Sequence, residues 1–140
     1  MNILFAADGS TFTQKALAFL ATNKSLIGAD DELVVLNVQD PISPRVKKML
    51  GSAEITSYQL NQANKVLKPI KRFLDQHPVR YRCVWVVGSV ANEIVQASQR
   101  ERVQLIVMGA HGHGLMARVL LGSVAQRVIA DCDIPVLLVK

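Results

Sequence analysis

Gly109, Gly112, Gly114 and Gly122 crowd one stretch, GAHGHGLMARVLLGSV, and Ser123 follows the last of them. A glycine has no Cβ, so the backbone N–H groups around it can turn toward a ligand and approach it closely. The stretch follows a short apolar run, Leu105 to Met108, and leads into an apolar-periodic segment, Val124 to Ala130. It therefore reads as strand, loop and helix start. A helix N-terminus offers unpaired donors and partial positive charge, and Ser123 stands where a cap is expected. Donors of this kind make a cradle for phosphate oxygens. Two common phosphate loops do not fit. A Gly-Lys-Ser/Thr loop needs a lysine, and none lies between Gly109 and Val124. The dinucleotide fingerprint needs G-x-G-x-x-G at the first strand-to-helix turn, whereas these glycines run G-x-x-G-x-G near the end of the chain.

Asp8 offers a different chemistry. It follows the apolar run Asn2 to Ala7 and is itself followed by Gly9 and Ser10. A carboxylate repels phosphate, so Asp8 suits a ribose hydroxyl, an adenine edge or a divalent cation. Its competing role is a helix N-cap. His111 and His113 are two residues apart, but no Cys, Asp or Glu stands near them to complete a metal site. Their readings are hydrogen bonds to phosphate or exposure to solvent, with catalysis the least supported. Arg118 and Arg127 are further cations near the loop, and Arg127, on the helix, reads as a surface charge. Cys83 and Cys132 have neither Cys-x-x-Cys spacing nor a zinc pattern, so two reduced thiols are expected.

The elements that position these residues alternate. Asn2 to Ala7 and Leu33 to Val38 are apolar runs that read as buried parallel strands. Between them, Thr11 or Thr13 caps a helix reaching about Asn23, with Ala16, Leu17, Leu20 and Ala21 on one face. Gly28 to Asp31 is a turn. Asp40 to Gly51 contains Pro41, Pro44 and Gly51, and reads as a long loop with some helix around Val46 to Leu50. It is either a cover for a ligand or a plain connector. Ala53 to His77 keeps a helical period through Leu60, Ala63, Val66, Leu67, Ile70, Phe73 and Leu74, and Pro69 should kink or split it. Tyr81 to Val87 is a third strand, and Val90 to Arg102 a helix with Ile94, Val95 and Ala97 inward. Leu105 to Met108, Ser123 to Ala130 and Val136 to Val139 complete a β-α-β-α-β-α-β-α-β chain. Such alternation argues for an α/β fold, a doubly wound parallel sheet with helices on both faces.

The bulk properties agree. At 140 residues the chain is one domain, and half its residues are hydrophobic against 19% charged, which excludes a disordered chain. No apolar run approaches a membrane span, and no basic leader precedes the opening strand, so a cytoplasmic protein is expected. The net charge of +5 is uneven. Arg45, Lys47, Lys48, Lys65, Lys68, Lys71, Arg72, Arg80 and Arg82 face only Glu54 and Asp75 between Asp40 and Cys83. A solvated helix face is favoured over nucleic-acid binding, since aromatic residues for base stacking are scarce there.

The spacing Gly109, two residues, Gly112, nine residues, Gly122-Ser123 resembles the ATP-binding motif of the universal stress protein family. The resemblance runs from the strand ending at Asp8 to the closing Pro135 to Val139. It implies a Rossmann-like five-stranded sheet of order 3-2-1-4-5, with the switch point between strands one and four. Ligands bind at the carboxyl ends of the strands flanking such a point. The implied nucleotide contacts are Ala6, Ala7, Asp8, Ser10, Val38, Met108, Gly109, His111, Gly112, Gly122, Ser123 and Val124. Val38 would read the adenine edge through its backbone, or is an ordinary core valine. ATP is the implied ligand, with Asp8 available to its Mg2+. The resemblance also implies a homodimer through the last strand, Val136, Leu137, Leu138 and Val139, whose open edge is apolar on both faces. One departure is Gly88-Ser89-Val90, where many members carry Gly-x-Pro. Three functions are in play: an ATP-binding regulatory protein with at most slow hydrolysis and a protein partner, a nucleotide hydrolase or adenylyl transferase, and a dimeric interaction module that binds no nucleotide.

Overall fold

A computed structural model describes residues 1–112 and 120–140. Five parallel strands form one sheet: β1 (Asn2–Ala6), β2 (Glu32–Gln39), β3 (Arg80–Val87), β4 (Leu105–Gly109) and β5 (Val136–Val139). Their order is β3-β2-β1-β4-β5, as the resemblance implied. The helices are α1 (Thr11–Thr22), α2 (Pro44–Lys47), α3 (Ser52–Leu74), α4 (Val90–Arg100) and α5 (Ser123–Asp131).

The central strands are almost wholly apolar, Asn37 of β2 being the buried exception, because both faces of the sheet are covered. Successive side chains alternate between faces. Ile3, Phe5, Leu33 and Val35 pack with Ala16, Leu17 and Leu20 of α1 and with Ala63, Leu67, Ile70 and Leu74 of α3. Leu4, Val34, Leu36, Ile106 and Met108 pack with Ala91, Ile94 and Ala97 of α4 and with Ala125 and Val128 of α5.

Several local expectations are corrected. Neither Thr11 nor Thr13 caps α1: Ser10 does, its hydroxyl accepting from the Thr13 N–H. α3 runs unbroken through Pro69. Proline removes a single backbone donor, and burial of Ala63, Leu67, Ile70 and Leu74 on either side holds the helix together. Leu60 is exposed and Gln59 is buried in its place. In α4, Val95 is only half-buried, and Ser98 joins the buried face. That helix stops before Arg102, which adopts a left-handed φ of 49°. The Val103 N–H donates to Ser98 O at 3.0 Å and the Arg102 N–H to Gln99 O at 3.1 Å. These two bonds satisfy the helix's last carbonyls in the manner of a Schellman cap. The helical part of the Asp40 to Gly51 loop is Pro44–Lys47, capped by the Ser43 hydroxyl.

At the amino end of the sheet, Arg82 of β3 donates from Nε to Glu32 Oε1 of β2 at 2.6 Å and from Nη2 to Glu101 Oε2 beyond α4. The Arg82 hydrogen bond is the main reason the Glu101 carboxyl is held below its ordinary value of 4.5. A depressed folded-state pKa means the pair stabilises the fold above the unfolded carboxylate range, and that contribution is lost as pH falls through the folded value. The melting temperature is expected to drop on acidification below about pH 4.5. Glu101→Gln should flatten that acid limb and lower the value at neutral pH. Melting curves of both proteins across the acid range check this.

Candidate functional site

A cavity of about 670 Å³ opens at the carboxyl ends of β1, β2 and β4, where the chain winds away from β1 in opposite directions. One wall is Ala6, Ala7 and Asp8. A second is Leu36 to Asp40. The third is Met108 to Gly112 with Leu121 to Gln126, and Thr13, Val66, Val90 and Ile94 fill the gaps.

Asp8 is locked by the start of α1. Its Oδ1 accepts from the Ser10 N–H at 2.8 Å and from the Thr13 hydroxyl at 2.6 Å. The Thr13 hydroxyl oxygen in turn accepts from the Asp8 N–H at 3.2 Å. Asp8 therefore supports the first turn of α1 although Ser10 is the cap. The turn between them needs Gly9, whose φ is +80°. The other carboxylate oxygen of Asp8 faces the glycine loop, for a Cβ on Gly112 would come within 2.8 Å of Oδ2.

The described ends of the loop after β4 are held by backbone bonds. The Ala110 N–H donates to Val139 O at 2.8 Å, and the Gly122 N–H donates to Ala110 O at 2.7 Å. The second bond brings the two ends of the glycine stretch together. Gly122, not Ser123, is the N-cap of α5, and among the described residues no side chain caps that helix. Ser123 is its first residue, and Ser123 and Val124 line the cavity. An uncapped helix N-terminus presents N–H donors and positive potential to whatever fills the space before it. His111 packs its ring on Phe12, with ring centroids 5.0 Å apart. Its Nδ1 is buried without a hydrogen-bond partner among the described residues.

The tertiary fold thus gathers Ala6, Ala7, Asp8, Val38, Met108, Gly109, His111, Gly112, Gly122, Ser123 and Val124 around one cavity. Ser10 is set apart: it is buried as the α1 cap and does not line the space. His113, Gly114 and Arg118 lie outside the described residues. Arg127 donates to Asn92 Oδ1 on the surface at 3.2 Å. Sequence reasoning passed over Asn37, Gln39 and Gln126, which also line the cavity. One signal was present, since Asn37 is a lone polar residue inside the apolar run LVVLNV.

Among the described residues Val136 to Val139 form the outer strand, paired with β4 alone. Leu137 and Val139 pack toward one core face, and Val136 and Leu138 toward the other. Both cysteines are free. Burial pushes the Cys83 thiol above its ordinary value. Among the described residues there is no group of three metal-ligating side chains, and no helix is long and apolar enough to cross a membrane.

Known proteins resemble this chain over its full length. A family model described as the universal stress protein family matches residues 1–140. Universal stress protein MJ0531 of Methanocaldococcus jannaschii is 38% identical over 113 residues, covering 79% of this chain and 66% of that protein. Universal stress protein MJ0577 of the same organism is 30% identical, covering 99% of this chain and 94% of its own length. The solved structure of MJ0577 superimposes with a TM-score of 0.84 at 31% identity, covering 99% of this chain and 94% of that one. Three more distant solved structures share the fold and hold adenine nucleotides. They are an Arabidopsis thaliana member with AMP (18% identity, TM-score 0.72), an Archaeoglobus fulgidus member with dAMP (22%, 0.66) and a member with cAMP (19%, 0.69). With its glycine spacing, its 3-2-1-4-5 sheet and a full-length family match, the chain belongs to the universal stress protein family.

Proposed function

We propose that this protein binds ATP in the cavity between β1, β2 and β4, and acts as a regulatory module with at most slow hydrolysis. The observation that carries the reading is the α5 N-terminus, which no described side chain caps, set beside the joined ends of the glycine stretch and across from Asp8. Phosphate oxygens lie against the α5 N–H groups and the Ser123 hydroxyl. Asp8 takes a ribose hydroxyl or the Mg2+ that accompanies ATP. The base lies toward Ala6, Ala7 and Val38, where the backbone of β2 runs past the end of β1. The adenine nucleotides held by distant relatives of the same fold support this choice of ligand. Binding stabilises one surface for a protein partner, so regulation follows from linkage.

Mg-ATP at a hundred times its Kd stabilises the folded state by about 2.7 kcal/mol, which for a domain of this size raises the melting temperature by roughly 10 °C. Thermal unfolding with and without millimolar Mg-ATP is the measurement, and an unmoved transition counts against the reading. Turnover that His111→Ala removes without weakening ATP binding would turn the assignment to an enzyme.

The open apolar edge of β5 suits pairing with a second copy, so the working form in this reading is a homodimer. A solution mass matching the monomer would remove that part. Two free cysteines suit the reducing cytoplasm.

A further inference from the structure

We propose that Asn37 is a positioning residue for base recognition: its side-chain amide takes the Ala7 carbonyl in place of the Val38 N–H, and so keeps the Val38 backbone open to the base. The inference rests on the nucleotide reading above and adds to it the residue that prepares the base-reading strand.

β1 and β2 pair along a parallel ladder. Strand pairing in register ends at Ala6 opposite Leu36. One further bond follows, from the Ala7 N–H to Leu36 O at 2.9 Å. On a parallel strand, alternate residues direct both N–H and C=O to the same neighbour. Leu36 therefore faces β1. Gln39, whose carbonyl accepts from the Gly88 N–H at 3.0 Å, faces β3. Val38 then faces the β1 side, as Leu36 does, but at a level where β1 has ended and α1 has led the chain away. Continuing the ladder would send the Val38 N–H to Ala7 O. Among the described residues that bond is not made. Ala7 O accepts instead from Asn37 Nδ2 at 2.9 Å.

Asn37 is 2% exposed, so its amide is not there for solvent. Its orientation is set from the other side, because Gln39 Nε2 donates to Asn37 Oδ1 at 2.7 Å. That bond fixes which end of the amide points at Ala7. All three residues line the cavity.

The consequence is a backbone donor and a backbone acceptor, both from Val38, side by side at the cavity wall. Adenine sets a ring-nitrogen acceptor beside an amino donor, which complements that pair. Guanine puts a carbonyl oxygen where adenine has its amino group, and would press acceptor on acceptor. A site built to hydrogen-bond one pattern rejects the other because buried polar groups are left unpaired.

The test uses the full-length protein, the substitutions Asn37→Leu and Gln39→Leu, and amide hydrogen exchange. In the unliganded wild type the Val38 amide should exchange freely beside its protected strand neighbours. In Asn37→Leu the Val38 N–H can turn to Ala7 O, and its exchange should slow by about tenfold, as expected for one hydrogen bond. In the same variant ATP affinity should fall by about tenfold while GTP and inorganic triphosphate are bound as before. Gln39→Leu, which frees the amide to flip, should shift the ATP-over-GTP ratio in the same direction by a smaller factor. A Val38 amide already protected in the wild type overturns the proposal without any variant. ATP binding with an unchanged ATP-over-GTP ratio in Asn37→Leu overturns the role of Asn37 alone. Failure of the wild type to bind ATP at all overturns the nucleotide reading itself.

Discussion

Gly109→Ala is expected to lower the melting temperature by roughly 10 °C, a loss of about 3 kcal/mol for a domain of this size. Gly109 ends β4, between β1 and β5, and is buried. A Cβ placed there would lie 2.6 Å from Phe12 Cβ and 2.9 Å from His111 O. Neither atom can swing aside. Phe12 Cβ is fixed by the backbone of α1, whose own carbonyl carbon would be only 3.3 Å away, and His111 O belongs to the loop itself. Relief requires α1 to move off the sheet or the loop to move off α1, and the former gives up packing of Ala16, Leu17 and Leu20 against the core. Overpacking of this kind typically costs about 1–3 kcal/mol, and a clash with main chain on both sides belongs at the upper end. Calorimetric unfolding of the unliganded variant measures it directly. A change within about 2 °C would mean that the α1–loop contact is slack.

Gly122→Val is expected to weaken nucleotide binding by about as much free energy as it costs the unliganded fold. The Cβ would meet Ala110 O at 3.2 Å and His111 Cα at 3.3 Å, so the two ends of the glycine stretch must part by a few tenths of an ångström. A branched side chain then reaches toward the cavity that Gly122 lines. A poor N-cap residue replaces a tolerated one as well. Together these should destabilise the unliganded protein by about 2 kcal/mol. In the proposed nucleotide reading, the loop ends and the α5 N–H groups then no longer converge on one phosphate group. A hydrogen bond to a charged oxygen contributes about 1.5–3 kcal/mol, so losing one weakens ATP by roughly ten- to a hundredfold. Titration calorimetry at a temperature where the variant is folded separates the two effects. Undiminished ATP affinity in Gly122→Val would show that the phosphates do not lie against this loop.

Alternation of apolar runs with helical periods was enough to announce an α/β sheet, because a strand buried on both faces must be apolar throughout, as LVVLNV nearly is. The glycine spacing marked the loop, since few other constraints place bare backbone at Gly109, Gly112 and Gly122 together. Local pattern was less able to assign individual roles. Ser123 read as a cap by type and position, yet the chain enters α5 one residue earlier, through Gly122. Thr11 and Thr13 were equally good caps on paper, and the choice of Ser10 depended on Asp8 folding back over the first turn. Pro69 looked like a break because propensity counts the lost donor and not the apolar face that holds α3 together.

Chemistry-bearing residue types and the kind of sheet were therefore determined along the chain itself, by hydrophobic period and by the absence of side chains where the backbone must be approached. What only the tertiary structure decided was which groups stay unpaired. Residues far apart in sequence, Ala7 and Asn37, share one hydrogen bond, and in the proposed reading that bond decides what Val38 offers a ligand. No local pattern encodes this, because a backbone N–H is open or closed according to what a neighbouring strand does beyond its own end.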